Sequence, residues 1–182
     1  MPALKIEKTK WLKLGIEYFS IIGKQGINVE QMAKKLNCNK SSFYHHFKTK
    51  KNFLNEIIQY WYNKSMEPII TEIDSIRDPK LRFERFLILG FRDKSRKDLM
   101  FYLRKESETN SNLKQLLNEF KKTRIIYGSQ LIQKLGYSES EAIQKAETLY
   151  LFYIGWYEIN KSSNNDKDID DGIDLIKTFI KF

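Results

Sequence analysis

Apolar positions recur every three to four residues along most of the chain, the spacing of one buried helical face. Leu12, Ile16, Phe19 and Ile22, flanked by Trp11 and Tyr18, predict a helix over residues 4–22 that Gly23 and Gly26 end. Val29, Met32, Ala33 and Leu36 predict a short helix over 28–37. Asn28 caps it, Gln31 reaches back in a variant of the capping box, and Asn37 stops it in a left-handed position, with Cys38 plugging the turn. A third helix over 39–47 buries Phe43, His46 and Phe47, with Asn39 as its N-cap. Thr49 then caps a helix from Lys50 to about Met66, carried by Phe53, Leu54, Ile57, Ile58, Trp61 and Tyr62.

Beyond it, Pro68 either starts a new turn or kinks the preceding helix, and Asp78-Pro79 is a firmer break. A helix over 81–92 presents Phe83, Phe86, Leu87 and Gly90, and residues 93–98 form a charged connection. A short helix over 99–108 carries Met100, Phe101, Tyr102 and Leu103. Asn110, Ser111 and Asn112 start a long helix in which Leu113, Leu116, Leu117, Phe120, Tyr127, Leu131 and Leu135 keep the period, with polar Arg124 standing in the row. Gly136 ends it. Ser138 with Glu141 makes a capping box for a helix to about Asn160 that is apolar on several sides at once. A final helix presents Ile169, Ile173, Ile176 and Ile180, with Phe179 and Phe182 beside them. These last two helices either pair with their copies in a four-helix dimer interface or only close the core of one chain; pairing is the expectation.

Charge changes this picture because it is unevenly spread. Residues 1–64 hold 12 Lys against 4 Glu, a net +8, whereas the remaining 118 residues hold 20 basic against 19 acidic side chains. A polyanion partner for the first third is the simple reading, since neutralised phosphates release counterions. Within that third, Lys40, Ser41, Tyr44 and His45 crowd one face of the 39–47 helix, with Ser42 near its start. Lys50 and Lys51 open the next helix, where the macrodipole disfavours cations unless an anion is near.

Other chemistries find no support. The chain has one cysteine, so no internal disulfide, and Cys38 with His45 and His46 makes no plausible zinc site; no metal or cofactor is expected. No nucleophile motif, phosphate loop or acid/base pair stands out, so no enzymatic activity is expected. No apolar run is long enough to span a membrane and the first residues lack a signal-peptide core, which points to a cytoplasmic protein.

Phe19, Gly23, Asn28-Val29, Met32-Ala33 and the run Ser42-Phe43-Tyr44-His45-His46-Phe47-Lys48-Thr49-Lys50 resemble, in order and spacing, the amino-terminal domain of the TetR (tetracycline-repressor)/AcrR-like family of transcriptional regulators. The resemblance covers residues 6–55. Asn28 stands where the family usually has Thr, Asn37 where it has Gly, Cys38 where it has Val, and Lys51 where an acidic residue is common. It implies an all-α fold with a three-helix helix-turn-helix DNA-binding domain over residues 1–49 and a helical ligand-binding and dimerisation domain over 50–182. It implies a dimeric repressor that binds a palindromic operator in double-stranded DNA and is released by a small molecule. The DNA-binding candidates are Asn28, Asn39, Lys40, Ser41, Ser42, Tyr44, His45 and Lys50. Tyr44 is read as a phosphate contact rather than a brace for the helix, because Phe43 and Phe47 already fill the buried face. Resemblance also implies a pocket for a small apolar or aromatic ligand; Phe86, Phe91, Phe101, Tyr127 and Trp156 are candidates, although an ordinary core uses the same residue types. The rival reading is a helical protein-interaction module whose basic face is only solvated.

Overall fold

The structure, a computed structural model, describes residues 6–65, 67–92, 98–163 and 165–182. Among them every regular element is a helix: α1 (Lys8–Ile22), α2 (Val29–Lys35), α3 (Lys40–Phe47), α4 (Lys50–Ser65), α5 (Glu67–Asp74), α6 (Pro79–Arg92), α7 (Leu99–Ser107), α8 (Ser111–Gln133), α9 (Glu139–Asn160) and α10 (Lys167–Lys177), with a 3-10 turn at Gly23–Gly26. None is long and apolar enough to cross a membrane. The charged connection expected at 93–98 lies, but for Asp98, outside the described residues. Contacts divide the chain into two units, Met1–Met66 with Arg96–Leu113, and Glu67–Ser95 with Lys114–Phe182.

In the first unit α1 to α4 and α7 close over an aromatic core. Phe43 lies edge-on to Trp11 at 5.3 Å and to Phe53 at 4.9 Å, and Phe47 stands 4.6 Å from Phe53. Such pairs add about 0.5–1.5 kcal/mol each to the area they bury. Gly15 lets α1 approach α4: a Cβ there would sit 2.6 Å from both Ile57 Cδ1 and Phe53 Cζ. Gly23, at φ 65°, turns the chain out of α1 beneath the Tyr102 ring of α7, where a Cβ would meet Cδ1 at 2.6 Å. Lys24 and Glu106 pair at 3.2 Å across the same contact.

In the second unit, Phe83, Leu87 and Phe91 of α6 pack with Ile132 of α8, Ala142 and Ala146 of α9 and Ile169, Ile173, Ile176 and Ile180 of the last segment. Pro68 sits at the second position of α5, and Pro79 opens α6, with Asp78 Oδ1 accepting from Leu81 N at 2.9 Å. Arg82 ties off α5 by donating to the Ile76 and Asp74 carbonyls at 2.7 and 3.2 Å. Gly136 ends α8's extension at φ 101°, and the Ser138–Glu141 capping box forms with both arms in place.

The isoleucine stripe of α10 corrects one expectation. Ile169, Ile173, Ile176 and Ile180 are all buried within the unit and so are not offered to a second chain. Gly172 lets α10 reach Trp156, whose Nε1 donates to the Asp168 carbonyl at 3.2 Å, which locks this face onto α9. Periodicity reveals that a face is apolar and says nothing of what covers it.

Candidate nucleic-acid interface

The turn between α2 and α3 is built by local rules. Asn28 Oδ1 accepts from Glu30 N at 3.0 Å and Gln31 N at 3.2 Å, so it caps α2. The return arm of a capping box is replaced: the Asn28 N–H donates instead to the Gly26 carbonyl at 2.9 Å. Val29, Met32 and Ala33 are buried. Asn37 takes φ 52°, and the Cys38 N–H donates back to the Ala33 carbonyl at 3.0 Å, closing the helix end. Cys38 is half-buried and its thiol is pushed up by burial, as suits a packing residue rather than a reactive one.

α3 divides its faces sharply. Phe43 and Phe47 are fully buried, and His46 is half-buried with Nε2 at 2.8 Å from the Ile6 carbonyl, so it is a packing residue as expected. On the other side Asn39, Lys40, Ser41, Tyr44 and His45 are exposed and Ser42 is half-buried. Tyr44 keeps its ring edge-on against Phe43 at 5.3 Å while its side chain is 48% exposed. Asn39 occupies the N-cap position with extended backbone, but its side chain makes no capping bond, a correction to the cap expected there. Its carboxamide is presented outward instead.

Lys40 is not idle. Its ammonium pairs with Glu30 of α2, a contact that holds the Glu30 carboxyl below its usual range and raises Lys40. Both side chains are exposed, so the pair is weak and a phosphate could displace it. This partner was hidden in the sequence because it joins two helices through the turn. α3 ends at Lys48, which takes φ 63°, a costly conformation for a residue with a Cβ, and Thr49 then caps α4, its Oγ1 accepting from Asn52 N at 3.0 Å. Lys50 and Lys51 follow, both exposed, and no acidic residue lies in the first turn. The cationic helix start is thus real, and beside it stand Lys48 and the polar face of α3.

No family model matches the chain, and no curated protein does. Solved structures match over nearly its full length. A TetR transcriptional regulator from Legionella pneumophila superposes with a TM-score of 0.78 at 14% identity, covering 97% of this chain and 99% of that one. A transcriptional regulator from Saccharomonospora viridis in complex with choline gives 0.79 at 16%, covering 95% and 94%, and the reduced form of E. coli NemR gives 0.76 at 18%, covering 94% and 96%. The chain has the TetR-regulator fold.

The second unit of this TetR fold holds a cavity of about 40 Å³. Phe86 and Phe91 of α6 line it, together with Leu149, Tyr150 and Tyr153 of α9 and Arg124 of α8. Tyr127 and Trp156 stand behind this lining. Tyr127 packs edge-on to Phe86 at 6.0 Å and donates to Asp74 Oδ1 at 3.1 Å, and burial, then that bond, pushes its phenol up. Trp156 packs 4.5 Å from Phe91. Phe101 is a correction: it belongs to α7 in the first unit and is exposed, because Leu99 and Leu103 take the buried positions of that helix. Arg124 was visible as the polar break in an apolar row, the one sign by which it could have been placed at a site. Among the described residues no group of three His, Cys, Asp or Glu side chains could hold a metal.

Proposed function

We propose that this chain is a sequence-specific, DNA-binding transcriptional regulator, a homodimeric repressor released from a palindromic operator by a small molecule. One observation carries the reading: α3 turns two phenylalanines into an aromatic core and an unbroken polar, basic face outward, next to a helix start that opens with two lysines. Phosphates would satisfy Tyr44, Lys50 and the α4 amides, while Lys40, Ser41, Ser42 and His45 address base edges in the major groove. Asn28 and Asn39 supply side-chain amides at the flanks. Residues 1–49 carry the reading of DNA, and 50–182 carry ligand binding and dimerisation.

Dimerisation falls to the outer face of α9 and α10. Leu151, Gly155 and Ile159 recur every fourth residue on α9, with Ile159 83% and Leu151 64% exposed, and Leu175 of α10 is 54% exposed. To enter successive major grooves, the two recognition helices of such a dimer must sit about 34–36 Å apart, one helical turn of DNA. A ligand that prefers another spacing then lowers DNA affinity through a coupling of about 1–3 kcal/mol. The Saccharomonospora regulator, which has this fold, was solved in complex with choline, and that supports reading the second unit of this chain as one that takes a small molecule. No catalytic step is assigned to the protein.

The test is selection of duplexes from a random pool by the purified protein at near-physiological salt. An enriched palindrome with half-sites about one helical turn apart supports the reading. Enrichment of nothing, with negligible binding at low salt, overturns it in favour of a protein-interaction module.

A further inference from the structure

The cavity of the second unit has a chemistry its packing does not require. Phe86, Phe91, Leu149, Tyr150 and Tyr153 make apolar and aromatic walls, and into them α8 sends one charged side chain, Arg124. The guanidinium carbon lies 5.2 Å from the Phe120 ring and 5.1 Å from the Tyr153 ring. Those two faces hold the cation in position. They do not satisfy its five N–H donors, and among the described residues Arg124 has neither an ion pair nor a hydrogen bond. Arg82 and Arg85 in the same unit differ: one binds two backbone carbonyls and the other pairs with Glu72. A half-buried guanidinium held by aromatic faces at the open side of an apolar cavity, with no protein partner among the described residues for donors that still reach solvent, can exchange that water for an anion.

We propose that this cavity binds a compact organic carboxylate, the anion forked onto Arg124 and the apolar body against Phe86, Phe91 and Leu149. The inference rests on the reading of the second unit as the ligand-sensing one and names the ligand class. A carboxylate matches the planar fork of one guanidinium. A phosphate ester would bring a second charge that the apolar walls leave unpaired, and a quaternary ammonium would face a cation already in place. The enclosed volume, about 40 Å³, takes only part of such a ligand, whose body extends through the open side of the pocket. Gly90 borders the space and a Cβ there would meet nothing within 4 Å, so a larger side chain at 90 can fill the cavity without moving Arg124.

The experiment uses the full chain without DNA. Benzoate and isovalerate, their neutral amides benzamide and isovaleramide, and benzyltrimethylammonium are titrated by calorimetry into the parent protein, Arg124→Gln, Arg124→Lys and Gly90→Leu, each checked for helicity by circular dichroism. The acids are expected to bind the parent on the order of tenfold or more tighter than the amides. Arg124→Gln should abolish that preference, Arg124→Lys should keep part of it, and Gly90→Leu should weaken the acids with the charge intact. Amides binding as well as acids, an acid preference that survives Arg124→Gln, preference for the ammonium, or no acid binding at millimolar concentration would each overturn the proposal. Gel shifts with the selected duplex, run in parallel, separate the two claims. Acids that bind through Arg124 but leave DNA affinity unchanged uphold the carboxylate site and remove the release mechanism.

Discussion

Removing one hydroxyl, Tyr44→Phe, separates DNA contact from folding. The Tyr44 ring rests edge-on against Phe43 at 5.3 Å, and Phe43 is anchored by Trp11 and Phe53. A phenylalanine keeps that contact. The hydroxyl sits on a side chain that is 48% exposed, so no buried group is orphaned and stability should move by less than about 0.5 kcal/mol. A hydrogen bond to a charged phosphate contributes about 1.5–3 kcal/mol, and the exposed setting argues for the lower end. Two such contacts per dimer give about 3 kcal/mol, roughly a hundredfold in affinity. Fluorescence anisotropy at one fixed salt concentration, on the selected palindrome and on a scrambled duplex of equal length, should show both affinities falling by a similar factor. Parental affinity, or a loss confined to the palindrome, would refute the phosphate assignment.

Three further outcomes are expected. Lys50→Gln should flatten the salt dependence of DNA binding by about one unit of slope per protomer, read from affinities between low and physiological salt. Asn28→Ala leaves the Glu30 and Gln31 amides without their acceptor and should cost about 1 kcal/mol in urea unfolding, with a smaller loss for Asn28→Ser. Glu141 is held below its usual range by its hydrogen bonds with Ser138, so the stability it adds is whole above the ordinary glutamate value and is lost as pH falls through the lowered one. Thermal melts between about pH 5 and about pH 3 should therefore show a shallower loss for Ser138→Ala than for the parent.

What could be read in advance was what local chemistry decides. Asn37 in the left-handed region, the Gly136 stop, the Ser138–Glu141 box and the split of α3 into Phe43 and Phe47 against Tyr44 all depend on neighbours within four or five residues. The errors came from long range. The isoleucines of α10 looked available to a partner chain, yet they close onto α9 and α6, because a periodic stripe does not name its cover. Phe101 looked like a pocket residue by composition and is exposed on a helix of the other unit. The Lys40–Glu30 pair and the arrangement of Arg124 between Phe120 and Tyr153 join helices, and each needed the fold before it could be seen. The exposed Leu151 and Ile159 were readable only as part of a helix apolar on several sides; which side stays uncovered depends on α6, α8 and α10 together.

The chain's three tryptophans give this division into two units an optical form. Trp11 and Trp61 are buried in the first unit, and Trp156 is buried in the second, 4.5 Å from the Phe91 ring that walls the cavity. An occupant that displaces Phe91 changes the surroundings of one indole and leaves the other two as an internal reference. With Trp11 and Trp61 replaced by Phe, the remaining emission becomes a label-free gauge of cavity filling, and the reciprocal variant follows the first unit alone.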